Sequence, residues 1–550
     1  MSKRSVLNLA GLIAGFGCAA LLLWLWRQDP AHAPTVGHST PTAAPALAAA
    51  APAPSAAPRE SLSPLDAALV ALLRAIRRGD ARPNEVLFAF KDDESLRRFV
   101  SRVAGSGLAI TGQIPALRAV RVRFDDPETL RNALQSSGDA PAALGANPLV
   151  SLPHPPARED RAALDQVPFG NDTLAFLGAN GDRTSWGRGA TIAILDTGVA
   201  GDVTFGQGRI HTLDIGLGTA PGQGEEDGHG TAVAALAAGA APDAPGVAPG
   251  ANLLSIRVTD ASATSDLFTL SQAIVAAVDS GAKLINISLG GYATGAVLDA
   301  AIGYATQNGA LIVAAAGNDQ AAQLAWPAAD PRVISVGAVD KAEQQVSFSN
   351  SGPQLQLSAP GYGVQTAWLD GQRVTVDGTS ASAPLVAGAI AAILSQNPGL
   401  SPQQAVGLLV STANDSGPPG ADPAFGNGIV NLATALNRNN PAYVDTAVSS
   451  QYFDPANNEM QFVVQNRSGR TVSGMALSVD AAGATSLHPV PSLAAGETYV
   501  VKVPVTIRDS ALTAADRLRY TSTLANPPGT VDAVPANNQR SSVLTAPPKP

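Results

Sequence analysis

Five short apolar runs, at 191–195, 252–257, 284–287, 311–315 and 333–339, mark the middle of this chain. They are apolar at nearly every position instead of every second one. Such strands have no face to spare for water and belong in a sheet covered on both sides. Helical patterns at 229–239, 266–279, 296–308, 380–396 and 402–412 separate or follow them, the alternation that builds a parallel sheet through crossover helices. The 380–396 stretch carries Ala, Leu, Val and Ile almost all round, so it is predicted to lie buried. Ligands of such sheets bind beyond the C-terminal ends of the strands. Asp196 closes the first run and Asn318 lies three residues past Ala315, which places both at one rim.

The flanks differ in kind. Lys3 and Arg4 precede an apolar stretch at 6–26, followed by Arg27. Its length matches the roughly 20 residues that cross a bilayer, and a secretory signal is shorter. Residues 1–27 are therefore expected as an uncleaved membrane anchor or signal, with the body outside the cytoplasm. Residues 28–60, mostly Ala, Pro, Ser and Thr, read as a linker without a core of their own. Residues 61–152 read as a small α+β unit: helix 65–78, strand 85–90, helix 94–103, strand 116–124, helix 128–135 and a short strand at 149–152. The expected order resembles a ferredoxin-like arrangement. Residues 153–185 are proline-broken at Pro153, Pro155 and Pro156 and form a processing stretch. After the body at 186–435, alternating runs at 460–465, 473–479, 499–505 and 518–523 suggest a small β-sandwich-like domain over 440–534. The polar, proline-rich end at 535–550 reads as a flexible tail.

Charge narrows the partners. The whole chain carries a formal −9, and residues 186–435 hold 19 acidic and 7 basic residues, a net of −12. With no basic stripe, nucleic acid is not expected as a partner. The single cysteine, Cys18, permits no internal disulfide and no cysteine metal site.

Chemistry gathers in four glycine-containing boxes: ILDTGV at 194–199, DGHGT at 227–231, AAAGN at 314–318 and GTSASAP at 378–384. A serine hydroxyl needs a base to take its proton as it attacks. His229 can serve near neutral pH, and Asp196 can hold its tautomer. Ser380, opening a buried helix, sits near unpaired N–H groups, and Asn318 adds a side-chain donor for an oxyanion. Each residue has a plainer reading: a turn aspartate, a core or capping histidine, an N-cap serine, an Asx-turn asparagine. All four plain readings holding together is the poorer account. His211, the other histidine of this body, lacks a glycine turn and reads as structural. No G-x-S-x-G elbow surrounds Ser380, which argues against an esterase of that type.

These boxes resemble those of the subtilisin-like serine peptidases. The resemblance is close over 186–435 and weaker over 85–152. It implies an α/β fold with a parallel sheet flanked by helices, a triad of Asp196, His229 and Ser380, and Asn318 as oxyanion donor. Ser288, Leu289 and Gly290 match the family's substrate-edge strand, where an extended peptide would pair. Ala315, Ala316 and Gly317 match its S1-pocket wall. The implied function is serine endopeptidase action on protein or peptide substrates, restrained by the chain's own N-terminal prodomain and released by autoprocessing within about 150–170, with 149–152 approaching the cleft. The alternative is a silenced scaffold that binds peptides at the cell envelope. No cofactor is required for the chemistry. Family members often bind structural calcium, but Asp202, Asp214 and Asp243 show no recognisable ligand spacing. Two departures stand out: Ala232 where histidine is common, and Ala381 where methionine is common.

Overall fold

The computed structural model describes residues 63–545, apart from 104, 137–140, 154–165, 202–203, 223, 225, 482 and 506–516. The expected anchor at 1–27, the linker at 28–60 and residues 154–165 of the processing stretch lie outside the described residues.

The apolar runs form one seven-stranded sheet in the order Leu357–Pro360, Ile334–Val339, Leu311–Ala315, Leu284–Ile287, Thr191–Asp196, Asn252–Arg257, Ile210–Leu213, every neighbouring pair parallel. Alternate residues feed two cores. Ile192, Ile194 and Val313 face the helices His229–Ala238 and Thr379–Gln396. Ala193, Leu195, Ile285 and Ile287 face Leu267–Asp279 and Ala296–Gln307. Helix Thr379–Gln396 is buried from Thr379 to Ile393, as an all-round apolar helix must be.

The expectation of a membrane partnership through an N-terminal helix is corrected here. Among the described residues, the only helix long and apolar enough to span a membrane is Thr379–Gln396, which lies mid-chain with 83% of its span buried inside the protein. Apolar length alone does not separate a bilayer span from the central helix of a two-sided core. The placement of the body outside the cytoplasm was read from residues 1–27, which lie outside the described residues.

Ahead of the body, Pro64–Arg78 is a helix capped by Ser63 and stopped by Gly79. Strands Ala143–Ser151, Ala81–Ala89, Ala119–Phe124 and Leu108–Ile114 then form an antiparallel sheet in that spatial order. Val86, Phe88, Val120, Val122 and Phe124 of this sheet join Phe99 and Leu130 from the helices in a separate core. Its edge strand Ala143–Ser151 pairs antiparallel with Thr264–Asp266 of the body. The same face is clamped by charge. Arg82 meets Asp260 at 2.8 Å and Asp266 at 3.2 Å, and Arg121 lies 5.0 Å over the Phe268 ring. Asn147, fully buried, accepts from the Phe268 N–H at 3.0 Å beside the Asp266 cap of helix Leu267–Asp279.

Beyond the body, Thr446–Asp454, Glu459–Asn466 and Thr498–Pro504 form one antiparallel sheet, and Ala484–Pro489, Ala476–Ala481, Arg517–Ala525 and Gln539–Thr545 another. Phe462, Val464 and Val501 from the first share a core with Leu477, Val479, Tyr520 and Leu524 from the second. The flexible tail expected at 535–550 is corrected in part. Gln539–Thr545 is an edge strand along Arg517–Ala525, held by ladder bonds that a polar sequence does not advertise.

Candidate functional site

Asp196 ends its strand fully buried, and His229 opens the helix His229–Ala238. The imidazole Nδ1 and Asp196 Oδ1 are 2.8 Å apart. The Thr197 N–H donates to the same oxygen at 2.8 Å, and the Gly230 N–H is fixed by Thr197 Oγ1 at 2.9 Å, so the two boxes interlock. Burial alone disfavours the imidazolium, but the charge of Asp196 and its hydrogen bond outweigh that, with Glu226 adding to them. The His229 pKa is raised above the ordinary histidine value as a result. Gly228 is required here, because a Cβ would lie 2.1 Å from the Trp368 ring packed on the box.

Ser380 is the second residue of Thr379–Gln396, 6% exposed, and lines one cavity with His229. Its hydroxyl donates to the Ser288 carbonyl at 3.4 Å, and the Ser288 hydroxyl donates to the Ser380 carbonyl at 3.0 Å. Asn318 is fixed through its oxygen, which accepts from the Thr379 N–H and the Thr379 hydroxyl, both at 2.9 Å. Its amide is thereby aimed outward and donates to the Pro153 carbonyl at 2.8 Å. Gly378 adopts φ +138°, a conformation glycine permits, and a Cβ there would meet the Asn318 amide at 2.9 Å.

The segment that ends at Pro153 lies along the rim as an added strand. Thr264–Asp266 is on one side, and on the other Ser151 and Gly290 exchange both backbone bonds, at 3.0 and 2.9 Å. Leu289, Gly290, Ala315 and Gly317 line a cavity beside Leu152 and Pro153. Ala316 does not join them: it is buried in the opposite core and its backbone is tied to Val336 and Ala325. Along a strand, successive side chains point to opposite faces, so three consecutive residues were not all available to one wall. A second cavity of about 180 Å³ is lined by His229, Ala232, Trp368, Val376, Ser380 and Ala381, among others. Both alanine departures therefore face one space next to the serine. Thr379 and Trp368 were given no role of their own by sequence, and Pro153 only that of a breaker; their partners are distant in the chain.

Two of the three carboxylates considered for calcium have protein partners. Asp214 accepts from the Gly216 and Gly218 N–H groups, Asp243 pairs with Arg373, and Asp202 lies outside the described residues. Among the described residues no group of three or more His, Cys, Asp or Glu side chains is placed to hold a metal. His211 is exposed on the edge strand Ile210–Leu213, away from these groups.

A parallel α/β sheet with a buried His–Asp pair, a serine at a helix start and a peptide strand along its rim defines a serine peptidase. Residues 187–428 match the Subtilase family, Peptidase_S8. A thermostable alkaline protease of Halalkalibacterium halodurans is 33% identical over 49% of this chain and 73% of its own length. An alkaline protease of Alkalihalobacillus alcalophilus is 30% identical over 64% of this chain and 90% of its own. Subtilisin Savinase of Lederbergia lenta is 33% identical over 49% and 98%. The chain belongs to the subtilase family and is a subtilisin-like serine endopeptidase.

Proposed function

We propose that Ser380 is the nucleophile of this peptidase, His229 its general base and acid, Asp196 the orienting carboxylate and Asn318 the oxyanion donor. The carrying observation is the Asn318 amide at 2.8 Å from a peptide carbonyl, that of Pro153, on the rim that holds His229 and Ser380. In this reading Ser380 Oγ attacks the substrate carbonyl carbon while its proton passes to His229 Nε2. The tetrahedral oxygen takes the Asn318 N–H and helix-start N–H groups. The proton then goes to the leaving amine, and water hydrolyses the acyl-enzyme by the same path. Substrate residues ahead of the cut would pair with Gly290 as Ser151 does. A fluorophosphonate probe tests the nucleophile: a mass adduct on Ser380, absent from Ser380→Ala, is expected. An adduct mapped to any other residue would sink the assignment.

Residues 63–152 act, in the same reading, as a ferredoxin-like inhibitory prodomain, which makes the chain a zymogen. Its support is the antiparallel sheet order, the Arg82 clamp and the strand that continues to Pro153 in the cleft. Residues 440–545 serve as a β-sandwich-like structural appendage, supported by the core its two sheets share.

A further inference from the structure

We infer that Pro153 makes the strand lying in the cleft a substrate-shaped latch that the enzyme does not cut at that residue. The inference rests on the reading of Ser380 as nucleophile and of residues 63–152 as an inhibitor.

Strand register carries it. Ser151 and Gly290 exchange both backbone hydrogen bonds, which makes them a hydrogen-bonded pair of an antiparallel ladder. In such a ladder these pairs recur every second residue. Two steps along, Pro153 stands opposite Ser288. Any other residue at 153 would offer its N–H to the Ser288 carbonyl. Proline has no N–H to offer.

The vacated acceptor is taken by the nucleophile. Ser380 Oγ donates to the Ser288 carbonyl, a long bond at 3.4 Å. Meanwhile the Pro153 carbonyl is seated on the Asn318 amide at 2.8 Å. The two requirements for attack are thus separated: the carbonyl is held where its oxyanion would be stabilised, while the serine hydroxyl has a long contact with a backbone carbonyl as its hydrogen bond. A hydroxyl so placed must first turn to the imidazole before its proton can pass to His229 as the C–O bond forms. A peptide with an N–H at the position of Pro153 would occupy the Ser288 carbonyl and turn Ser380 Oγ toward His229. Substrates are then told from the latch by one backbone hydrogen.

Replacing Pro153 should convert the latch into a substrate. Ser380 Oγ would add to the residue-153 carbonyl carbon, its proton moving to His229 and on to the amide nitrogen of residue 154. That C–N bond breaks, and water then releases residue 153 as a carboxylate.

The test compares full-length wild type, Pro153→Ala, Pro153→Ser and Pro153→Ala/Ser380→Ala, each first shown to melt cooperatively as wild type does. N-termini are mapped by mass spectrometry while fluorophosphonate labelling is followed. Both Pro153 variants are expected to yield a new N-terminus at His154 that the double variant lacks. Wild type should show none at that bond, and the Pro153 variants should label faster. A Ser380-dependent N-terminus at His154 in wild type, or no such cut in either Pro153 variant, overturns the latch. Absence of Ser380 labelling in every chain overturns the nucleophile assignment itself, and the latch with it.

Discussion

At the scale of single residues, the roles divide between groups that meet the reacting atoms and groups that hold them. On the proposed reading Asn318 is of the first kind, held by Thr379 through two 2.9 Å bonds. Asn318→Ala should lower kcat about 10²–10³-fold with little change in KM, the size of loss known for this donor in subtilisin. A raised KM with kcat unchanged would instead mean that Asn318 binds ground and transition states alike. His229 makes a pH prediction. Its pKa is raised in the fold, against burial, by Asp196 and Glu226. The base form is neutral imidazole, so the acid limb of kcat/KM should lie above the ordinary histidine value of about 6.5. It should move to lower pH in Glu226→Gln; an unmoved limb would remove Glu226 from the account. Asp196, His229, Asn318 and Ser380 were legible in the sequence because each is the chemical residue of a tight glycine turn. Pro153 was not, because its meaning comes from Asn318, 165 positions away, and from a register that only pairing fixes.

Among elements, the runs apolar at every position were readable as buried parallel strands, since nothing else satisfies their composition. The strands Leu108–Ile114 and Ile210–Leu213 were missed because each lies at an edge, alternates or mixes polarity, and contains no uniform run. The joint between the N-terminal sheet and the body was also invisible in the sequence, and it makes its own prediction. Asp266 is 4% exposed and caps a helix, so losing Arg82 leaves a nearly buried carboxylate with only the more distant Arg121 at 3.8 Å. Arg82→Ala should weaken the grip of the N-terminal unit by roughly 2 kcal/mol, the order expected for one buried charged hydrogen-bond partner. Titrating a separately added N-terminal unit against inhibition of peptide hydrolysis would measure it; an unchanged inhibition constant would show that the clamp is idle. Asp260 in this clamp is held at a pKa of about 2, against a burial that alone would raise it, by bonds from Ser262, Arg82 and Thr264. Its contribution is therefore present above the unfolded value near 3.8 and fades as pH falls toward 2. Mild acid near pH 5 should leave the clamp intact.

Over the whole molecule, the C-terminal sheets are joined to the body around residues 413–417. Ser449 and Ser450 donate to the Asp415 and Gly417 carbonyls at 2.6 and 2.7 Å, and Arg540 meets Glu343 at 2.5 Å. Asp415 is buried beneath this joint, and desolvation pushes its pKa up to about 6. The folded state therefore binds the proton more tightly than the unfolded chain does, and stability from this group falls as pH rises from about 4 through 6. Asp415→Asn should stabilise the fold at pH 8 by about 1–3 kcal/mol, read as a higher Tm, and change it far less at pH 4. Equal effects at both values would assign the change to packing alone. The domain borders were read from composition shifts along the chain. The polar edge strand Gln539–Thr545 was not, because ladder bonds and not burial hold it. The membrane partnership through an N-terminal helix was the opposite error: among the described residues the one span-length helix lies mid-chain, buried inside the protein.

The central claim is that Asp196, His229 and Ser380 act as one unit in peptide-bond cleavage. The most direct measurement is kcat for peptide hydrolysis by Ser380→Ala, His229→Ala and the Ser380→Ala/His229→Ala double variant beside wild type. Groups that share one step lose their effect together. Each single variant should fall by about 10⁶-fold and the double no further. Losses that multiply, or a Ser380→Ala chain that still hydrolyses peptide at the wild-type rate, would contradict the account.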